Sequence, residues 1–137
     1  MTTQATVLTN DEFVKQFENQ TLNPVYFDHQ GHIRIACIYL NMYDFDTANN
    51  KTCCGIKAYA ESLGATDKFN LTITDAIVKI MAKRMKTASD NTWQVFIKNN
   101  PDIVHDTLGL LSQYFSKELM FSEQARKFLV KPDLKAL

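Results

Sequence analysis

The sequence predicts an all-α domain, on three grounds. Apolar residues recur at i, i+3, i+4 and i+7 through most of the chain, the spacing that lays one stripe along a helix. Ser, Thr, Asp or Asn stand just ahead of those stretches, where a side-chain oxygen can cap free backbone N–H groups. Only 4 Gly and 3 Pro occur in 137 residues, too few for the tight turns of an all-β design. Strand-like alternation is confined to Phe69-Asn70-Leu71-Thr72-Ile73. The expectation is a single-domain bundle of about five to seven helices over residues 1–137, with 1–9 flexible.

The first helix is announced by Thr9-Asn10-Asp11-Glu12, a capping box in which Thr9 caps and Glu12 reaches back. Phe13, Val14 and Phe17 then recur at helical spacing, and the helix should stop near Asn19, ahead of Asn23-Pro24. Asp28 caps a second helix running to about Tyr43, with Ile33, Ala36, Cys37 and Leu40 as its apolar stripe. Asp46 or Thr47 is placed to cap a third, which carries Ile56, Tyr59, Ala60 and Leu63 and ends at Gly64. An extended lead-in then reaches Thr72, which caps a fourth helix along Ile73, Ile77, Ile80, Met81 and Met85 to about Thr87. Ser89 or Asp90 caps a short helix holding Trp93, Phe96 and Ile97. Asn100-Pro101 restarts the chain with Asn100 as cap and proline at the first helical position, and Leu108, Leu111 and Phe115 mark a further stretch. Ser122 caps the last helix, with Ala125, Phe128 and Leu129 on its face and Lys131-Pro132 at its end.

Fifteen Lys and Arg balance fifteen Asp and Glu, so the chain has no basic excess to attract nucleic acid or an anionic membrane. Residues 1–10 lack the basic and apolar regions of a signal peptide. The longest nearly apolar stretch, Ile33 to Leu40, contains Arg34 and falls far short of a membrane span. Three cysteines without a C-x-x-C spacing build neither a disulfide framework nor a zinc knuckle. Cys53 and Cys54 read as reduced thiols on a helix, Cys37 as a buried and inert one, and residence in the cytoplasm is expected. No G-x-S-x-G, P-loop or G-x-G-x-x-G pattern supports a serine hydrolase or a nucleotide site, and no cofactor is implied.

Chemistry concentrates in Phe27-Asp28-His29-Gln30-Gly31-His32-Ile33-Arg34. His29 and His32 lie three apart in the first turn of a helix and so share a face. The positive end of the helix dipole favours the neutral imidazole that a metal or a proton transfer needs. Arg34 sits about 200° round the axis from His32 and serves a different face. His105 reads as a solvated helix residue.

The chain resembles a family of small, uncharacterised, mostly bacterial helical proteins. The likeness lies in Phe17-Glu18, Thr21-Leu22 and an aromatic-x-His-x-x-His-Leu-Arg-x-Ala helix start, here Phe27 to Ala36 with Ile33 in place of leucine. It resumes at Thr72-Ile73-Thr74 and closes with Leu119-Met120-Phe121-Ser122, Ala125-Arg126 and Pro132-Asp133-Leu134. In the family pattern a His-Glu pair precedes the Thr-x-Thr segment, whereas this chain has Asn70-Leu71. A site built from those groups would lose two polar members here: Asn70 can still hydrogen-bond, but Leu71 can neither bind metal nor move a proton.

Three functions follow as expectations. The leading one is a pocket for a small anionic molecule where the helix starts at Asp28 and Thr72 converge, with His29, His32, Asn70 and Thr72 as contacts and Arg34 as a neighbour. The second is a metal-dependent enzyme, or a degenerate relative of one, with His29 and His32 as ligands. The third is a helical interaction or scaffolding module, with room for a homo-oligomer, in which the histidine pair is structural.

Overall fold

A computed structural model describes residues 8–137, and every described element is helical. Five helices have seven residues or more: α1 (Asn10–Glu18), α2 (His29–Met42), α3 (Phe45–Ser62), α4 (Leu71–Thr87) and α5 (Trp93–Asn99). Four short ones follow: α6 (Pro101–His105), α7 (Thr107–Leu111), α8 (Lys117–Met120) and α9 (Glu123–Lys127). The described helices thus number nine, more than expected, because the C-terminal third breaks repeatedly. Ser116 and Ser122 each accept a backbone N–H three residues on and restart the chain as α8 and α9.

Local capping explains most boundaries. Thr9 and Glu12 form the reciprocal capping box of α1, and Asp28 accepts from Gly31 N at 2.9 Å to start α2. Two starts differ from expectation. The cap of α3 is Asp44, whose carboxylate accepts from Thr47 N at 2.8 Å; Asp46 and Thr47 already lie in the first turn. The cap of α4 is Asn70, which accepts from Ile73 N, so the helix begins at Leu71 and Thr72 is free for other work. At α5 neither Ser89 nor Asp90 caps: the Asp90 carboxylate accepts from Thr92 N in the preceding turn. Asn100 precedes α6 without a side-chain cap, because its amide donates to Phe96 O and its oxygen accepts from Arg84. Past α3, Gly64 takes a φ of 70°, the left-handed stop that glycine permits without strain.

The centre of the bundle is α2, where every residue from Ile33 to Tyr39 is buried. A helix apolar on all sides belongs in an interior. Ile33, Ala36 and Cys37 pack with Ala76, Met81 and Met85 of α4 and with Phe96, Ile103, Leu111, Phe115 and Met120 beyond it. Ile35, Ile38 and Tyr39, on the other side, pack with Phe13 and Phe17 of α1, with Ala48, Ile56 and Tyr59 of α3, and with Phe27. The expected stripe therefore described one face of a two-faced helix. Leu63, Leu108, Phe128 and Leu129, expected on apolar faces, are about half exposed or more, at 50%, 48%, 63% and 58%. The last two lie beyond the end of α9 at Lys127, where no helical face exists to turn them inward.

Arg34 interrupts the apolar run and is itself buried. Its guanidinium lies between the rings of Phe13 and Trp93, at 4.3 and 4.5 Å from their centroids. It donates to Leu8 O at 2.8 Å and to Asn10 Oδ1 at 3.1 Å, tying the start of α1 to α2 and α5. Leu8 and Thr9 are thus held in place, while the rest of the segment expected to be flexible, residues 1–7, lies outside the described residues. Cys37 and Cys53 are buried and Cys54 is exposed, all as free thiols; burial pushes the Cys37 thiol up to about 12. Among the described residues no helix is long and apolar enough to cross a membrane.

Candidate functional site

The sequence Asn23-Pro24 builds the approach to the histidines. Asn23 accepts from Val25 N and starts a single 3-10 turn, Pro24–Tyr26, that delivers Phe27 to the core. The chain then doubles back so closely that a Cβ at Gly31 would lie 2.6 Å from Tyr26 O; only glycine fits there. This turn sets His32 against Phe27, with ring centroids 4.1 Å apart.

Each histidine hands one ring nitrogen to a backbone carbonyl. His32 Nδ1 lies 2.8 Å from Asp28 O, and His29 Nε2 lies 2.9 Å from Ile103 O and 2.8 Å from Thr107 Oγ1. The Thr107 hydroxyl itself donates to Ile103 O. A carbonyl oxygen only accepts, so the nitrogen facing it carries the proton. In the neutral rings the lone pairs therefore sit on His29 Nδ1 and His32 Nε2, and neither makes a hydrogen bond to the described residues. Because His29 is the donor toward Thr107, it does not activate that hydroxyl as a nucleophile.

Both rings line a cavity of about 330 Å³ between α2, α3, α4 and α7. Its walls are apolar, formed by Ile33 and Ala36 of α2, Ile56 of α3, and Ile73 and Ile77 of α4. Its remaining polar side chains are Asn70, Thr52, Thr74, Thr107 and Lys68. Thr52, Thr74 and Thr107 donate to the carbonyls four residues back, of Ala48, Asn70 and Ile103. Asn70 accepts from Ile73 N and donates to Met120 O at 2.9 Å, so both ends of its amide are engaged.

The structure thus gathers His29, His32 and Asn70 at one cavity and leaves out two expected members. Thr72 does not line it: its hydroxyl donates to Phe128 O at 2.7 Å and accepts from Val130 N at 3.2 Å, stitching the C-terminal segment to α4. Arg34 lies in its aromatic sandwich and does not line it either. Four residues were not expected there: Thr52, Thr74, Thr107 and Lys68. Only Thr74, in the Thr72-Ile73-Thr74 segment, carried any sequence signal.

The metal reading asks both imidazoles to reach one ion. Two imidazoles sharing one tetrahedral zinc at Zn–N of about 2.1 Å would place their ring centroids about 5 Å apart. The His29 and His32 centroids are 6.5 Å apart, wider than that spacing. Among the described residues no group of three or more His, Cys, Asp or Glu is placed to hold a metal ion.

Burial lowers the pKa of His32 below its ordinary 6.5, against the Asp28 carbonyl, which raises it, while nearby His29 lowers it further. The unfolded chain then binds a proton that the folded chain refuses as pH falls below 6.5. Stability should be full above pH 6.5 and decline as pH drops toward the folded value, where the loss levels off. Urea midpoints measured across that range should show the decline, and His32→Gln should flatten it.

A second groove of about 740 Å³ lies across Phe69, between α3, α4 and α9. Much of its charge is already satisfied: Asp75 is held by Lys79 and Asn49, while Arg126 and Lys127 pair with Glu123. The histidine cavity is the better candidate because its apolar walls meet two imidazoles each held by a backbone carbonyl. No family model, curated protein or solved structure matches this chain, so the reading of the cavity rests on its own geometry.

Proposed function

We propose that the protein binds a small, mainly apolar molecule in the cavity beside His29 and His32. The single observation that carries this is a cavity of about 330 Å³ whose apolar walls meet two imidazoles fixed by backbone carbonyls. Small-molecule sites have this form, concave and mostly apolar with a few polar groups held in place, at volumes of about 300–1,000 Å³. The resemblance to bacterial helical proteins and the three free thiols agree with a protein of the bacterial cytoplasm. A second reading, a docking module, is favoured by exposed Phe121, Phe128, Leu129 and Leu134 in the C-terminal segment. Its sign would be a sedimentation mass above that of one chain.

Isoleucine-methyl NMR spectra tested with a panel of small aromatic and aliphatic fragments decide the matter. At about 1 mM fragment, near the weak end of specific binding, the methyls of Ile33, Ile56, Ile73 and Ile77 should shift together while Ile38 stays fixed. A panel in which no fragment moves those four methyls would overturn the binding reading.

A further inference from the structure

We infer that the ligand of this cavity is neutral and donates hydrogen bonds through an O–H or N–H group on an apolar body, as a phenol does. The inference rests on the small-molecule reading above and adds the chemistry of the ligand's polar end. An anion would need N–H or O–H donors turned toward it, and among the lining side chains only Lys68 offers one that is not already engaged. The cavity's three threonine hydroxyls donate to the carbonyls four residues back, of Ala48, Asn70 and Ile103. The Asn70 amide donates to Met120 O. The N–H of each imidazole faces a backbone carbonyl outside the cavity, Ile103 O or Asp28 O. Acceptors remain: two imidazole lone pairs and the hydroxyl oxygens.

Lys68 is the one donor that departs from this pattern among the lining residues, and it is exposed. A long, hydrated ammonium at the mouth holds an anion weakly and adds repulsion against a cationic ligand. At the α2 start, moreover, the Asp28 carboxylate already occupies the Gly31 N–H and places a negative charge where an anion would sit. A neutral donor is what remains. It would satisfy lone pairs that an apolar or acceptor ligand leaves buried and unpaired, the costlier arrangement.

Three probes of matched shape separate the possibilities: 4-propylphenol, 4-propylanisole and 4-propylbenzoate, each titrated while the cavity isoleucine methyls are followed. The phenol should bind roughly tenfold or more tightly than the anisole, which cannot donate, and the benzoate should bind weakest. In a His29→Leu/His32→Leu double variant the phenol should fall to within about twofold of the anisole. Should that variant not fold, the ranking on the unaltered protein still decides. Equal affinities for phenol and anisole would overturn the inference while leaving the binding reading intact. Tightest binding of the benzoate would overturn it in favour of an anion held by Lys68. Failure of all three to shift the methyls would remove the binding reading together with this one.

Discussion

Truncating Phe17 to alanine is expected to lower the unfolding free energy by about 3–5 kcal/mol, the range for a fully buried phenylalanine. The ring is 1% exposed and stacks on Phe27 at a centroid distance of 5.1 Å, with Tyr59 at 5.9 Å. Its other neighbour is α3 at Gly55, where an added Cβ would come within 2.7 Å of the ring. Gly55 has no side chain to move into the space, so the cavity left behind would collapse poorly and the cost should fall in the upper part of the range. The site should suffer as well, because Phe27 is the ring on which His32 rests. Urea unfolding followed by circular dichroism measures the loss; a change under about 1 kcal/mol would refute this placement of Phe17.

Replacing Arg34 with alanine should cost about 2–4 kcal/mol, from lost cation–π contact with two rings and from charge-assisted hydrogen bonds. The side chain is 4% exposed and joins Phe13, Trp93, Leu8 and Asn10. Arg34→Met should cost less, since an unbranched apolar stem still fills the gap between the rings and no charge remains to be buried. Because Arg34 does not line the cavity, neither variant should change affinity for 4-propylphenol by more than about twofold. Unchanged stability in Arg34→Ala would mean that the guanidinium does not hold the start of α1, and a large loss of affinity would return Arg34 to the site.

What was legible in the sequence was local. The Thr9–Glu12 box, the Asp28 and Ser122 caps and the Gly64 stop each depend on a contact or a backbone angle within a few residues. Where several oxygen-bearing residues crowd one start, as at Asp44, Asp46 and Thr47, the chain presents competing caps and only the fold selects one. The Thr72-Ile73-Thr74-Asp75 pattern fits a helix cap at Thr72. Its real partners, Phe128 and Val130, are 56 and 58 residues away and leave no local trace.

The candidate site divides the same way. The histidine pair is visible as two residues three apart, and the His32 proton is placed by Asp28, four residues back. The His29 proton is placed by Ile103, 74 residues on, and that contact decides whether the cavity offers a donor or an acceptor. Two helix starts expected to converge, at Asp28 and Thr72, point in the sequence to an anion held beside the histidines. The tertiary structure turns their N–H groups to backbone carbonyls, and the ligand proposed above is accordingly a neutral hydrogen-bond donor instead of an anion.

The histidine tautomers are the most direct test, and long-range proton–nitrogen correlation of the two imidazoles at about pH 7.5, where unperturbed rings are mostly neutral, reads them. The expected spectrum shows His29 protonated only at Nε2 and His32 only at Nδ1, with lone pairs on the other nitrogen of each. A His32 ring protonated at Nε2, or a His29 ring carrying protons on both nitrogens, would put N–H donors where the cavity needs acceptors and contradict the site described above.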